Sequence, residues 1–327
     1  MTSYITQNTI MRAVSCEGVG VHSGLATTLT LKPAPENSGF TFVRTDVTDK
    51  DNRIPAQWDM VSDTQLCTVL RNTDDVKIST VEHVLSALWG CGIDNAIIEV
   101  SGPEVPIMDG SAADFVKMIH RASIAPQNAR RKFLMIKSAV SFELDGKKAA
   151  LRPSVSQSFA FEIDFDSKAV GRQHYDFAFS EASYGVEIAA ARTFGFLHEV
   201  EALRKMGLAR GGSLDNAIVI DGDTILNEDG LRYEDEFVRH KILDALGDLL
   251  LCGAQIIGQY EGIKAGHHMN NEILRKLFAT KDAWEFVELT ETQYRALTAT
   301  EKARANMKKS GTFVVLGKQA GEHAAVY

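Results

Sequence analysis

The chain of 327 residues is short of several features that usually announce a function. It has four cysteines, Cys16, Cys67, Cys91 and Cys252, with no CxxC pair and no repeated spacing. That argues against a cysteine-bound zinc and for free thiols in a reducing compartment. No run of ~18–20 apolar residues occurs, so no membrane-spanning helix is expected. The first residues lack a basic stretch followed by an apolar one, so no secretion signal is expected and the location reads as cytoplasmic. Positive charge is not in excess. The net charge of −8 argues against a general nucleic-acid binder. There is no HExxH, which excludes the familiar metalloprotease helix, and Gly211-Gly212-Ser213 lacks the GxxxxGK pattern, leaving a turn rather than a phosphate loop.

What is present is ordinary globular composition, 45% hydrophobic and 24% charged, over a length that suggests two domains. Residues 10–33 alternate like paired strands with a turn at His22-Ser23-Gly24, and residues 39–45 read as the next strand. A helix is expected over 76–91, a strand over 95–100 and a second helix over 110–122. The polar, basic stretch 125–132 reads as a linker. The second half then runs like the first. Residues 136–153 parallel 12–33 down to Leu-Arg-Pro against Leu-Lys-Pro, and residues 158–165 parallel 39–45. His83-Val-Leu-Ser-Ala-Leu with Cys91-Gly is likewise matched by His240-Lys-Ile-Leu-Asp-Ala-Leu with Cys252-Gly. A duplicated unit of this kind gives two α+β layers and makes the two histidine-bearing helices equivalent elements that face one another.

On the helix expected over 235–251, Val238, Ile242, Ala245, Leu246, Leu249 and Leu250 form the core stripe, and Gly253 reads as its C-terminal cap. At about 100° per residue, His240, Asp244 and Asp248 fall together on the other side. His240 and Asp244, four apart, have the spacing at which one helix gives two ligands to one ion, although such pairs are more often plain surface pairs. Ser79 and Glu82 fit a capping box, and His83 follows at the helix start. His83, His240 and Asp244 make two imidazoles and a carboxylate, a ligand set of hydrolytic zinc, with Glu82 suited to be the base acting on the metal-bound water. His267 and His268 follow Gly266 in what reads as a loop at a strand end, where Asp248 would keep an imidazole protonated.

Six motifs then occur in order: Thr80-Val-Glu-His83, Pro106-Ile-Met-Asp-Gly-Ser111, Ala191-Arg-Thr-Phe-Gly-Phe196, Asn227-Glu-Asp-Gly-Leu-Arg232, Glu236-Phe-Val-Arg-His-Lys241 and Gly266-His-His268. Together they closely resemble the UDP-3-O-acyl-N-acetylglucosamine deacetylase family of lipid A biosynthesis, over roughly residues 3–295. The resemblance implies removal of acetate from the glucosamine nitrogen of a UDP-sugar carrying a 3-hydroxyacyl chain. It implies zinc, with ferrous iron also suited, on His83, His240 and Asp244. Glu82 would be the base, His267 the acid, Asp248 its orienting partner, and Thr193 a donor to the oxyanion. Phe194, Lys241, Lys147, Asp164, Phe165, Lys264 and Cys67 would contact substrate. The implied fold is two β-α-α-β sandwich domains, residues 1–125 and 132–298, with an insert near 196–220 lining the acyl passage. Leu197, Val200, Leu203 and Met206 form an apolar stripe in that insert. Residues 299–327 run past the family's usual end; they include a candidate extra strand over 311–317 and an apolar terminus, and the tail reads either as disordered or as a handle for a regulatory protease.

Overall fold

The computed structural model describes residues 3–297. The extra strand expected over 311–317 and the tail itself lie outside them.

The molecule is α+β, and each half is built on a mixed sheet. In the first half the order is 14–19, 26–33, 96–100, 40–44, 53–55. In the second it is 140–144, 147–152, 255–263, 157–164, 172–178, and the long strand Gln255–Ile263 also pairs with Lys132–Ile136. The pairing senses match strand for strand: antiparallel, antiparallel, parallel, antiparallel. Period-two patterning explains the inner strands. Thr27, Leu29 and Leu31 point inward from Ala26–Pro33, as do Phe159, Phe161 and Ile163 from Gln157–Asp164.

The helices are α1 (Glu82–Gly90), α2 (Ala113–Ala122), α3 (Glu181–Glu187), α4 (Leu197–Lys205), α5 (Glu236–Leu250) and α6 (His267–Ala279). α1 packs against α5, so the halves meet through the two histidine-bearing helices. Gly247 makes the approach possible: a Cβ there would stand 1.9 Å from the carbonyl oxygen of Glu82. One apolar core runs through both halves, from Leu29 and Ile98 through Val84 and Leu246 to Phe161. All of α1 and most of α5 are buried, which is why neither shows a clean polar face.

Four sequence expectations need correction. α1 begins at Glu82, not near 76, because Lys77–Ile78 is a strand and Thr80 sits at φ +58. Ser79 caps nothing; its hydroxyl donates to the Pro103 carbonyl, and Glu82 is engaged elsewhere. The stretch 125–132 is no loose linker. Ile124–Arg130 pairs antiparallel with Thr6–Ile10 in a two-stranded ribbon, whose outer edge tolerates polar residues and Pro126. Finally, His267 opens α6 behind Gly266 and is not in a loop.

Candidate metal centre and active site

α1 and α5 bring together the three residues expected to ligate. One side-chain atom each from His83, His240 and Asp244 lies within 4.8 Å of the others, and all three residues are buried. Asp244 Oδ1 is 3.3 Å from His240 Nε2 and 3.6 Å from His83 Nε2. Its other oxygen accepts from Lys241 Nζ at 2.9 Å. The two imidazoles stand nearly perpendicular, 5.1 Å apart. The surface-pair reading of His240 and Asp244 is therefore overturned: they are 1% and 3% exposed.

The donor set suits a cation on physical grounds. His240 Nδ1 lies 3.0 Å from the Ala191 carbonyl oxygen, which can only accept. The proton therefore sits on Nδ1, and Nε2 turns a bare lone pair on Asp244. Burial opposes the imidazolium and pushes His240 down to about 3. Burial alone would raise the Asp244 carboxyl, but positive charge around it, from the Lys241 ammonium on its other oxygen once His240 is neutral, holds it well below the usual range. A neutral imidazole nitrogen facing an ionised carboxylate in a dry site is two acceptors with no hydrogen between them. A metal ion relieves that conflict, and two histidines with one aspartate suit zinc or ferrous iron.

Beside this centre lies a carboxylate–imidazole pair. Glu82 Oε1 is 3.7 Å from His267 Nε2, and His267 Nδ1 is 2.8 Å from Asp248 Oδ2. Burial pushes the Glu82 carboxyl up to about 7, against the pull of His267 and His83. Burial also works against a charged His267, but Asp248 and Glu82 outweigh it and hold the imidazolium to about 9.

A cavity of about 400 Å³ opens beside Glu82 and His83. Its lining includes Glu82, His83, Thr193 and Cys67 together with Leu197, Val200, Leu203 and Leu226. The stripe on α4 thus faces the cavity rather than the core, except Met206, which lies past the helix end and is 66% exposed. Thr193 is fixed by its backbone: its N–H donates to the Gly110 carbonyl, and its own carbonyl accepts from Ile218. Phe194 packs against His240 and against Phe165. Lys147, Asp164 and Lys264 fall at one end of the second-half sheet, since both Lys148 and Glu162 are in register with Ile263. Asp164 and Lys264 form an ion pair at 2.7 Å.

Sequence reasoning missed several neighbours. Glu104, buried, accepts from the backbone of His22 and Ser23 and from the Thr80 hydroxyl, tying the expected turn to the start of α1. His22 lines the cavity, yet the sequence marks it only as a turn residue. Asn270 donates to Asp248 Oδ2 at 2.8 Å. Its spacing of three from His267 was a usable signal once that segment is helical. Nothing local marks Thr68.

Comparison with known proteins gives the family. The family model described as LpxC, UDP-3-O-acyl N-acetylglycosamine deacetylase, matches residues 7–279. A protein of Phenylobacterium zucineum named UDP-3-O-acyl-N-acetylglucosamine deacetylase is 52% identical over 278 residues, 85% of this chain and 95% of that one. Relatives with the same name from Teredinibacter turnerae and Haemophilus influenzae are 50% and 48% identical, each over 88% of this chain and 95% of their own. With the match running from the first paired strand to the end of α6, the chain belongs to the UDP-3-O-acyl N-acetylglycosamine deacetylase family.

Proposed function

We propose that this protein is a zinc-dependent amidase of lipid A biosynthesis. It hydrolyses the N-acetyl group of UDP-3-O-(3-hydroxyacyl)-N-acetylglucosamine to acetate and the free amine. The observation that supports this most is the convergence of His83, His240 and Asp244 beside the Glu82–His267 pair. We also read the two matching sheets as an internal duplication, residues 1–125 and 132–298, with the site between their helix layers. A cytoplasmic place suits the four free thiols. Among the described residues no helix is long and apolar enough to cross a membrane.

His83, His240 and Asp244 would hold the zinc, which would supply a Lewis acid for the acetyl carbonyl and for the water that attacks it. Glu82 takes the proton from the attacking water. The Thr193 hydroxyl donates to the carbonyl oxygen as it gains charge, a contact that counts most in the transition state. His267 delivers a proton to the nitrogen as the C–N bond breaks, because an unprotonated amine leaves poorly. Asp248 holds Nδ1–H of His267 and so keeps Nε2–H aimed at the reaction. Phe194 packs on the sugar, Lys241 meets the sugar or diphosphate side, and Lys147, Asp164, Phe165 and Lys264 meet the diphosphate and uridine. Cys67 and the α4 side of the cavity line the acyl passage.

Product analysis tests the reading. Incubation with the UDP-linked acylated N-acetylglucosamine should release acetate and leave the UDP-sugar bond intact. Release of UMP instead would make the protein a diphosphate hydrolase, and release of neither would make it a binding protein.

A further inference from the structure

The carboxylate–imidazole pair has one residue bonded to both of its arms. Thr68, 1% exposed, lies just before the short strand Val69–Arg71, after a bend in which Leu66 takes φ +71. Its backbone N–H donates to Glu82 Oε2 at 3.1 Å. Its hydroxyl donates to Asp248 Oδ1 at 2.6 Å, and its carbonyl accepts from Val81, the residue before α1. Asp248 Oδ2 is taken by His267 and Asn270, so Thr68 is the donor recorded on the opposite oxygen.

We propose that Thr68 is a positioning residue that sets the Glu82 carboxylate and the Asp248–His267 pair in one fixed relation, so that proton removal and proton delivery face the same substrate atoms. The inference rests on the reading of Glu82 and His267 as base and acid. Three features of the geometry support it. Glu82 comes from α1 and Asp248 from α5, so no single element sets their relative placement. Thr68 belongs to neither helix and touches both. A buried carboxylate takes its orientation from its donors, and Asp248 can turn His267 only if it is itself held. A serine retains the hydroxyl donor, a cysteine of similar size has only a weak one, and a valine has none.

The test uses the full, zinc-loaded chain with Thr68→Ser, Thr68→Cys and Thr68→Val, reading kcat and KM for acetate release, bound metal and unfolding midpoint. Thr68→Ser should stay close to the unaltered chain. Thr68→Cys and Thr68→Val should lose about 10- to 100-fold in kcat with KM and metal content unchanged. In an Asp248→Ala background the same substitutions should cost little more, since their target is gone. Should the valine chain fail to fold, the serine–cysteine comparison decides. Equal kcat for serine and cysteine, or losses that multiply fully with Asp248→Ala, would overturn the proposal. Controls at Glu82→Ala and His267→Ala separate the two levels: if those keep normal turnover, the base and acid reading fails first. If they lose turnover while Thr68→Cys does not, only the role of Thr68 fails.

Discussion

At the scale of single residues, the site is a set of buried charges held in chosen protonation states by their neighbours. His240 is kept neutral by burial and aimed by the Ala191 carbonyl. His267 is kept charged by two carboxylates, against burial. The sign of a pH effect follows. An acid is competent only below its pKa, so activity should fall as pH rises through about 9. Replacing Asp248 by Asn removes the largest influence that raises His267 and leaves burial to lower it. The alkaline limb of kcat should then move to lower pH; a limb that stays in place would show that another group is the acid. His267→Ala should cost about 10²- to 10⁴-fold in kcat while bound metal stays constant, checked by steady-state kinetics alongside metal analysis.

At the scale of elements, the contact of α1 with α5 decides whether these residues meet at all. Gly247 is where the two backbones come closest. Gly247→Ala should force them apart, cost about 1–3 kcal/mol in denaturant unfolding, and lower turnover beyond what the lost stability explains. An alanine variant of normal stability and activity would mean the helices can shift without harm. The insert makes a separate prediction. Leu203 faces the cavity from α4, so Leu203→Trp should move preference toward shorter acyl chains, read from kcat/KM across a chain-length series. These elements also show what the sequence makes legible. The inner strands and α5 follow from alternation and helical spacing, and His240, Asp244 and Asp248 share a face as that spacing requires. The start of α1 did not follow. Thr80 breaks the helix with a positive φ held by Glu104, a contact 24 positions away. Ile124–Arg130 was hidden because a two-stranded surface ribbon needs no apolar stripe. Thr68 was hidden for a similar reason: its partner Asp248 is 180 positions distant.

At the scale of the whole molecule, the two halves share one core and one candidate metal site, with His83 from the first and His240 and Asp244 from the second. An ion bound there joins the halves as well as serving the chemistry. Removing it should lower the unfolding midpoint in a thermal scan, because the ion binds the folded chain and not the unfolded one. The central claim is that turnover depends on one metal ion at these three residues. The most direct measurement strips the full chain with a chelator, returns zinc in steps, and follows acetate release at each step. The account predicts almost no turnover in the stripped protein and a linear rise that levels off at one zinc per chain. Full turnover in the stripped protein would contradict it.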